Sequence, residues 1–309
     1  LVLDMAVTAD VLLEGFRPGV AERLGVGPGD MAGANDSLVY GRMTGWGQDG
    51  PMAPMAGHDI NYIGLVGVLG AIGSESPVPP LNLVGDYGGG AMYLLVGVLA
   101  ALVERSTSGR GQVVDAAMAD GAASLMTPIY QLKAAGYWRD ERNTNLLDGA
   151  APFYRTYETA DGEFMAVGAL EPQFYARLLD LLGLDVADRP HQMDRAGWPQ
   201  LEADIAAAFA AQSRNHWESV FSGEDACVTP VLSLGEAPAH AQNQARKTFM
   251  TRTGNPEPAP APRFSRSAGE VPRPAPAIGS DTRQVLGAAG VEAADIESLL
   301  AAGVVGEAS

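Results

Sequence analysis

Short apolar segments typical of buried strands recur through the first half of this chain. Residues 9–14 and 37–43 are two such segments, each ended by a glycine-containing turn, and a third covers residues 112–116 after a helical pattern over 91–105. Buried strands that alternate with helices are typical of a parallel sheet covered on both faces. The fold class that we predict is therefore α/β, with a large, doubly wound, Rossmann-like domain over residues 1–150.

The sequence pattern changes after residue 150. Two strand-like runs, residues 153–157 and 164–167, flank an Asp-Gly dipeptide that favours a tight hairpin turn. Helical patterns then follow over residues 172–182, 198–211 and 216–221. We predict a smaller α+β domain over residues 151–252.

The last part of the chain is proline-rich before it becomes helical again. Residues 255–276 are predicted to form an extended linker, because closely spaced prolines favour extended backbone. Helical patterns over 281–290 and 293–302 follow. We predict that the segment 253–309 is a linker and a helical pair that returns to the large domain.

Charge and cysteine content narrow the possible partners. The net charge of −17 disfavours nucleic acid, because a duplex-binding surface is basic. Cys227 is the only cysteine, which excludes an internal disulfide and leads us to expect a reducing, cytoplasmic location. The first residues lack a secretory pattern. The apolar run 88–103 is shorter than the roughly 20 residues of a membrane span, so we predict a buried helix and no membrane association.

His58 is the first candidate for acid–base chemistry. A histidine that follows glycine and precedes an apolar helix can present its ring to a cleft, and its ordinary pKa suits proton transfer near neutrality. An ordinary loop histidine is the alternative interpretation. The sequence has no His-x-x-x-His pair and no cysteine cluster, so we predict no metal site.

Asp86 lies between Gly85 and the run Gly88–Gly90, directly before an apolar helix. One interpretation is a helix N-cap. The other is that the glycines admit a ligand and expose N–H donors, which would hold an enolate or carbonyl oxygen beside a proton carrier or nucleophile. Glu171, before Pro172, is likewise either a normal helix start or a carboxylate that orients His58.

Five segments together resemble one known family. They are Ala9–Gly19, Thr44–Gln48, Gly57–Tyr62, Asn82–Gly90 and Gly168–Phe174. The chain resembles the α-methylacyl-CoA racemase branch of the family III CoA-transferase superfamily over about residues 9–250. Members of that family carry further residues before the position of Leu1, including the first strands of the sheet. Their absence here would expose sheet edges.

The resemblance implies a role for each matching position. His58 and Asp86 correspond to the two catalytic bases, and Glu171 corresponds to the glutamate that hydrogen-bonds the histidine. Asn82 and Gly88 correspond to residues beside the aspartate. The positions implied to contact CoA are Gly15, Phe16, Arg17, Arg23, Gly57, Asp59, Ile60, Asn61 and Tyr62. The resemblance also implies an interlocked homodimer in which Glu171 acts across the interface.

The implied activity is racemisation of 2-methylacyl-CoA thioesters by 1,1-proton transfer through an enolate. It needs no cofactor, because CoA is part of the substrate. Two alternatives remain open. The chain is a family III CoA transferase in which Asp86 attacks the thioester and carries the acyl group, or it is a truncated CoA-binding homologue without activity.

Overall fold

The structure is a computed structural model, and it divides into two compact units, Leu1–Val231 and Leu232–Ser309. It describes residues 1–308 apart from four positions: Val186, Asp188, Thr253 and Pro272. We describe each unit by itself. The predicted boundaries at residues 150 and 252, and the return of the last helices to the large domain, remain predictions.

The first unit contains two groups of elements. The first group is α1 (Val2–Ala6), β1 (Val11–Glu14), α2 (Val20–Arg23), α3 (Pro28–Ala34), β2 (Val39–Thr44), α4 (Asp59–Leu65), α5 (Val68–Ala71), a π-helix (Leu83–Ala91), α6 (Met92–Ser108), β3 (Val113–Ala117), α7 (Met118–Leu125) and α8 (Thr127–Ala134). The second group is β4 (Tyr154–Glu158), β5 (Phe164–Gly168), α9 (Pro172–Leu181), α10 (Trp198–Ala210), α11 (Arg214–Phe221) and β6 (Val228–Pro230).

The first group is built on a parallel sheet with the strand order β1-β2-β3. Successive side chains of a strand point to opposite faces. On the central strand, Val39 therefore packs with Leu94 and Val98 of α6, whereas Tyr40 packs with Ala6 and Met31 on the other face. Helices cover both faces, and the predicted α/β class with a doubly wound parallel sheet is confirmed.

The helix α6 is less buried than the sequence predicts. Leu94, Val98 and Ala101 form a buried stripe, whereas large apolar residues on the rest of its surface are exposed: Met92, Tyr93, Leu95, Val96, Leu99 and Val103. The prediction of a buried helix is wrong for this surface, because the sheet covers only one side of α6. The continuous helix Leu83–Ser108 is long and apolar enough to cross a membrane by length and composition alone, with 28% of its apolar window buried.

The second group forms an antiparallel sheet, β4-β5-β6, with helices packed on it. The hairpin turn between β4 and β5 falls at the predicted Asp-Gly, where Gly162 has φ +77°. Phe153, Leu178, Ile205 and Phe209 are fully buried in the shared core. The α+β architecture that we predicted for the smaller domain is confirmed.

The second unit contains a 3₁₀ helix (Ala237–Ala239), α12 (Ala241–Arg246), β7 (Phe249–Arg252), β8 (Asn255–Pro258), α13 (Thr282–Ala288) and α14 (Ala293–Ala301). The predicted linker is wrong at its first residues, since Asn255–Pro258 pairs with β7 as an antiparallel strand. A two-stranded ribbon has only edge strands, where proline is tolerated. The two predicted C-terminal helices are confirmed.

Candidate active site

His58 lies at the N-cap position of α4, where its extended backbone ends the preceding loop. The side-chain Oδ1 of Asn61 accepts the backbone N–H of His58 at 3.0 Å and fixes this helix start. The His58 residue is exposed and borders two adjoining clefts. The ring therefore has access to both spaces, as proton transfer requires.

The first cleft has a volume of about 340 Å³ and contains both candidate bases. Its lining residues are Met43, Gly57, His58, Tyr62, Asn82, Asp86, Tyr87, Ala91 and Met118. Asn82 Nδ2 donates to Asp86 Oδ2 at 3.2 Å, so the amide orients the carboxylate. The structure thus brings His58 to the same cleft as Asn82 and Asp86, which lie more than 20 residues further along the chain.

The second cleft, of about 300 Å³, shares Met43, Gly57, His58, Tyr62 and Met118 with the first. Its far wall is the loop after β1, formed by Gly15, Phe16, Arg17 and Pro18. Ligands of open parallel sheets bind beyond the carboxyl ends of the strands, which is where this loop lies. Five of the predicted CoA-contacting residues therefore share a cleft with His58: Gly15, Phe16, Arg17, Gly57 and Tyr62.

A buried ion pair holds the loop after β1. Arg42 Nε donates to Glu14 Oε1 at 2.7 Å, and Arg42 Nη1 donates to Glu22 Oε1 at 2.8 Å. The other oxygen of Glu14 accepts the backbone N–H of Phe16 at 2.7 Å. Burial lowers the pKa of Arg42, but the hydrogen bonds that Arg42 donates to both glutamates outweigh this effect and leave the pKa raised.

Asp86 is not a helix N-cap, because it lies inside the π-helix Leu83–Ala91. In such a helix each N–H donates to the carbonyl five residues earlier, as Met92 N does to Tyr87 O. The N–H groups that follow Asp86 therefore belong to the helix. Our interpretation that they form a free anion hole after Asp86 is wrong.

The glycines after Asp86 serve close helix packing. A Cβ at Gly89 would lie 2.4 Å from the backbone N of Ala122, and a Cβ at Gly121 would lie 1.9 Å from the carbonyl oxygen of Gly89. A Cβ at Gly88 would approach Leu83 O at 3.0 Å. The π-helix and α7 thus pack backbone against backbone, and this close contact requires glycine at Gly89 and Gly121.

Four of the residues predicted to contact CoA are not among the described residues that line the two clefts. They are Arg23, Asp59, Ile60 and Asn61. Arg23 Nη1 donates to Gly19 O at 3.1 Å, and Ile60 is exposed on α4. Asn61 caps its helix, and Asp59 is buried with only 5% of the residue exposed. Their predicted contacts with CoA stay predictions.

Glu171 occupies the N-cap position of α9 and is exposed. It is not among the described residues that line either cleft beside His58. Glu171 lies three residues after the end of β5, and burial, followed by the charges of Glu171 and Asp225, raises the pKa of the Cys227 thiol. The predicted contact of Glu171 with His58 across an interface stays a prediction.

Two methionines, and Tyr62 from the predicted CoA contacts, also line both clefts. Met43 and Met118 lie near the carboxyl ends of β2 and β3, a position that could have indicated them. Tyr62 OH donates to Gly57 O at 2.5 Å, and burial followed by the charge of Asp86 raises the pKa of Tyr62. Within the described part of the chain, no group of three or more His, Cys, Asp or Glu side chains could hold a metal ion.

Comparison with known proteins identifies the family of this chain. CoA-transferase family III matches residues 1–282, and the chain belongs to this family. α-Methylacyl-CoA racemase of Mus musculus is 47% identical over 287 residues, covering 91% of this chain and 75% of the mouse protein. The human protein of the same name is 44% identical over 257 residues, covering 82% and 67%. The predicted resemblance is confirmed.

A solved structure shares the fold. The crystal structure of a CaiB/BaiF family protein from Brucella suis has a TM-score of 0.79 and 21% identity, covering 93% of this chain and 77% of that chain. At this identity the likeness concerns the fold alone.

Proposed function

We propose that this chain is an isomerase that racemises the α-carbon of 2-methylacyl-CoA thioesters. The observation that carries the proposal is that His58 and Asp86 line one cleft. The similarity to two α-methylacyl-CoA racemases supports it. A 1,1-proton transfer requires two side chains in one cleft, each of which can hold one proton.

In the proposed reaction, one base removes the α-proton of the thioester and the other returns a proton to the opposite face of the enolate. Because the enolate carbon is planar, it does not retain the configuration of the substrate. His58 and Asp86 belong to different elements, α4 and the π-helix, so they can approach the carbon from separate directions. Each base accepts a proton in one direction of the reaction and donates it in the other.

The proposed substrate extends from the first cleft into the second. The thioester lies beside His58, and the CoA portion follows the loop Gly15–Pro18. Arg17 is exposed on this loop and supplies a cation for the CoA phosphates. A few positioned arginines suffice for this, so the overall negative charge does not oppose CoA binding.

We also propose that the enzyme is a homodimer, interlocked as the resemblance implies. The exposed apolar surface of α6 supports this, because large contiguous apolar patches on a surface mark interaction sites. The dimer would bring Glu171 of one protomer to His58 of its partner, since Glu171 borders neither cleft in its own chain. There Glu171 would fix the tautomer of the His58 ring.

The proposed reaction uses only side-chain bases and no metal or organic cofactor, and we propose a cytoplasmic location. Full activity after dialysis against a chelator would support cofactor independence. Loss of activity that returns with an added metal ion would contradict it.

The second candidate function is CoA transfer, which the family as a whole favours. Asp86 would then attack the thioester carbonyl, and CoA thiolate would leave as an aspartyl anhydride forms. The hydrogen bond from Asn82 orients the carboxylate for this step as well. Only the role of His58 separates the two reactions.

The test uses one pure epimer of a 2-methylacyl-CoA in deuterated water, without a second acid. Racemisation with uptake of deuterium at the α-carbon supports the proposed function. Acyl transfer that requires a free acid and shows no exchange supports the transferase instead. CoA binding without turnover supports the inactive homologue. A panel of branched fatty acyl, bile-acid precursor and aryl-propionyl thioesters then identifies the acyl preference.

A further inference from the structure

Asp59 connects the two proposed bases although it borders neither cleft. It follows His58 in the chain and is the first residue of α4, with 5% of the residue exposed. Its Oδ2 accepts the backbone N–H groups of Gly85 and Asp86 at 2.7 and 2.8 Å. One carboxylate oxygen therefore holds the backbone of Asp86, and a single peptide bond joins the same residue to His58.

The packing around this contact leaves little freedom. A Cβ at Gly85 would lie 2.6 Å from Asp59 Oδ2 and 3.2 Å from Cγ2 of Ile63. Ile63 is itself fully buried one turn further along α4. The start of α4 and the π-helix therefore meet at a separation that only glycine allows, and Asp59 occupies the point of contact.

The second oxygen of Asp59 shows that this side chain is not optimal for stability alone. Oδ1 is buried and has no hydrogen-bond partner among the residues that the structure describes. A buried polar atom without a partner is unfavourable, and such exceptions concentrate where a group serves a site. A shorter or apolar side chain would avoid this penalty but would release the two N–H groups.

We propose that Asp59 is a positioning residue that sets the separation of His58 and Asp86 across the first cleft. The inference rests on the proposed function, because it requires both residues to be bases. Proton transfer to carbon depends on close approach, and a misplacement of about 1 Å can lower the rate by about 10²-fold. In this role the buried Asp59 carboxylate, which lines neither cleft, acts through the backbone of residues 85–86.

The test compares Asp59→Ala with Asp59→Asn. Alanine removes the acceptor, and we expect kcat for α-deuterium exchange to fall by roughly 10²-fold while KM changes little. Asparagine retains an oxygen that can accept both N–H groups, so we expect it to keep most of the kcat. Amide exchange of Gly85 and Asp86, followed by NMR, should be faster than wild type in the alanine variant only.

Asp148→Ala is the matched control. The Asp148 carboxylate also accepts two consecutive backbone N–H groups, those of Thr144 and Asn145, at 3.1 and 2.9 Å. It lines neither cleft. We expect this variant to lose thermal stability but to keep the wild-type kcat at a temperature where it is folded.

Three outcomes would overturn the inference. They are a wild-type kcat in Asp59→Ala, an Asp59→Asn variant as slow as the alanine variant, and an equal loss of kcat in Asp148→Ala. If the wild-type protein itself shows no α-deuterium exchange, the proposed function fails instead. In that case faster amide exchange at Gly85 and Asp86 in Asp59→Ala would still establish the contact.

Discussion

Arg42 donates from Nε to Oε1 of Glu14 at 2.7 Å, and the side chains of both residues are almost completely buried, at 7% and 4% exposure. The pair joins neighbouring strands β2 and β1 at the ends from which the cleft-lining loop departs. The other carboxylate oxygen of Glu14 accepts the backbone N–H of Phe16 in that loop. A single buried charge pair thus links the sheet to the predicted CoA-binding wall.

We expect Arg42→Met to lower the free energy of unfolding by about 3–5 kcal/mol, because it leaves the Glu14 carboxylate buried without its cation. The double variant Glu14→Gln/Arg42→Met should lose less, since glutamine carries no charge and can still accept from Phe16. Urea unfolding of both variants measures the difference. A double variant less stable than Arg42→Met would contradict this account.

The stability of this region should depend on pH through Glu22. Its hydrogen bond with Arg42 lowers the pKa of Glu22 in the folded state. The stabilisation is therefore present above the unfolded-state pKa of about 4.3 and is lost as the pH falls through the lower folded-state pKa. Because the Glu22 side chain is 46% exposed, we expect less than about 1 kcal/mol. Glu22→Gln should remove this part of the acid dependence in thermal melts between pH 7 and 3, whereas the exposed control Glu75→Gln should keep it.

Replacement of either proposed base should stop racemisation. We expect His58→Ala and Asp86→Ala each to lower turnover by at least about 10²-fold, since each removes a group that transfers a proton in the reaction. Circular dichroism and sedimentation should remain as in the wild type. His191→Ala, a change at a loop histidine away from both clefts, serves as the control. Wild-type turnover in either base variant would refute the assignment of two bases.

The two arginines near the end of β1 allow a direct comparison. Arg17 lines the second cleft, whereas Arg23, the last residue of α2, donates to the carbonyl oxygen of Gly19. A charge-assisted hydrogen bond contributes about 1.5–3 kcal/mol, so Arg17→Ala should weaken the binding of free CoA by about tenfold or more. Arg23→Ala should weaken it less. Calorimetric titration with CoA gives both values, and a larger loss for Arg23 would reverse our placement of the CoA portion.

The exposed surface of α6 should control dimer formation. Val96 is 62% exposed in the single chain, and a charge there would have to be desolvated in an apolar interface. We expect Val96→Glu to shift the protein to monomer in sedimentation velocity. Leu24→Glu, at a residue of the same 62% exposure near α2, should leave the dimer unchanged. A wild-type monomer, or a Val96→Glu dimer, would exclude this surface as the interface.

The strands of the large sheet were predictable from the sequence because each is a short apolar run with polar or glycine residues at its ends. β1, β2 and β3 begin and end within about two residues of the predicted segments. The π-helix was not predictable in the same way. It depends on backbone contact between Gly89 and Gly121, and a local pattern carries no information about a partner further along the chain.

The sequence by itself determined the positions of the strands in the large sheet, the family, and the kinds of groups available for proton transfer. These depend on periodicity and on residue identity, which are local properties. Only the tertiary structure decided that His58 and Asp86 share a cleft, that Asp59 turns inward to hold Asp86, and that one surface of α6 stays exposed. Each of these depends on burial against distant segments, since solvent exclusion and backbone hydrogen bonding are settled only when the elements pack.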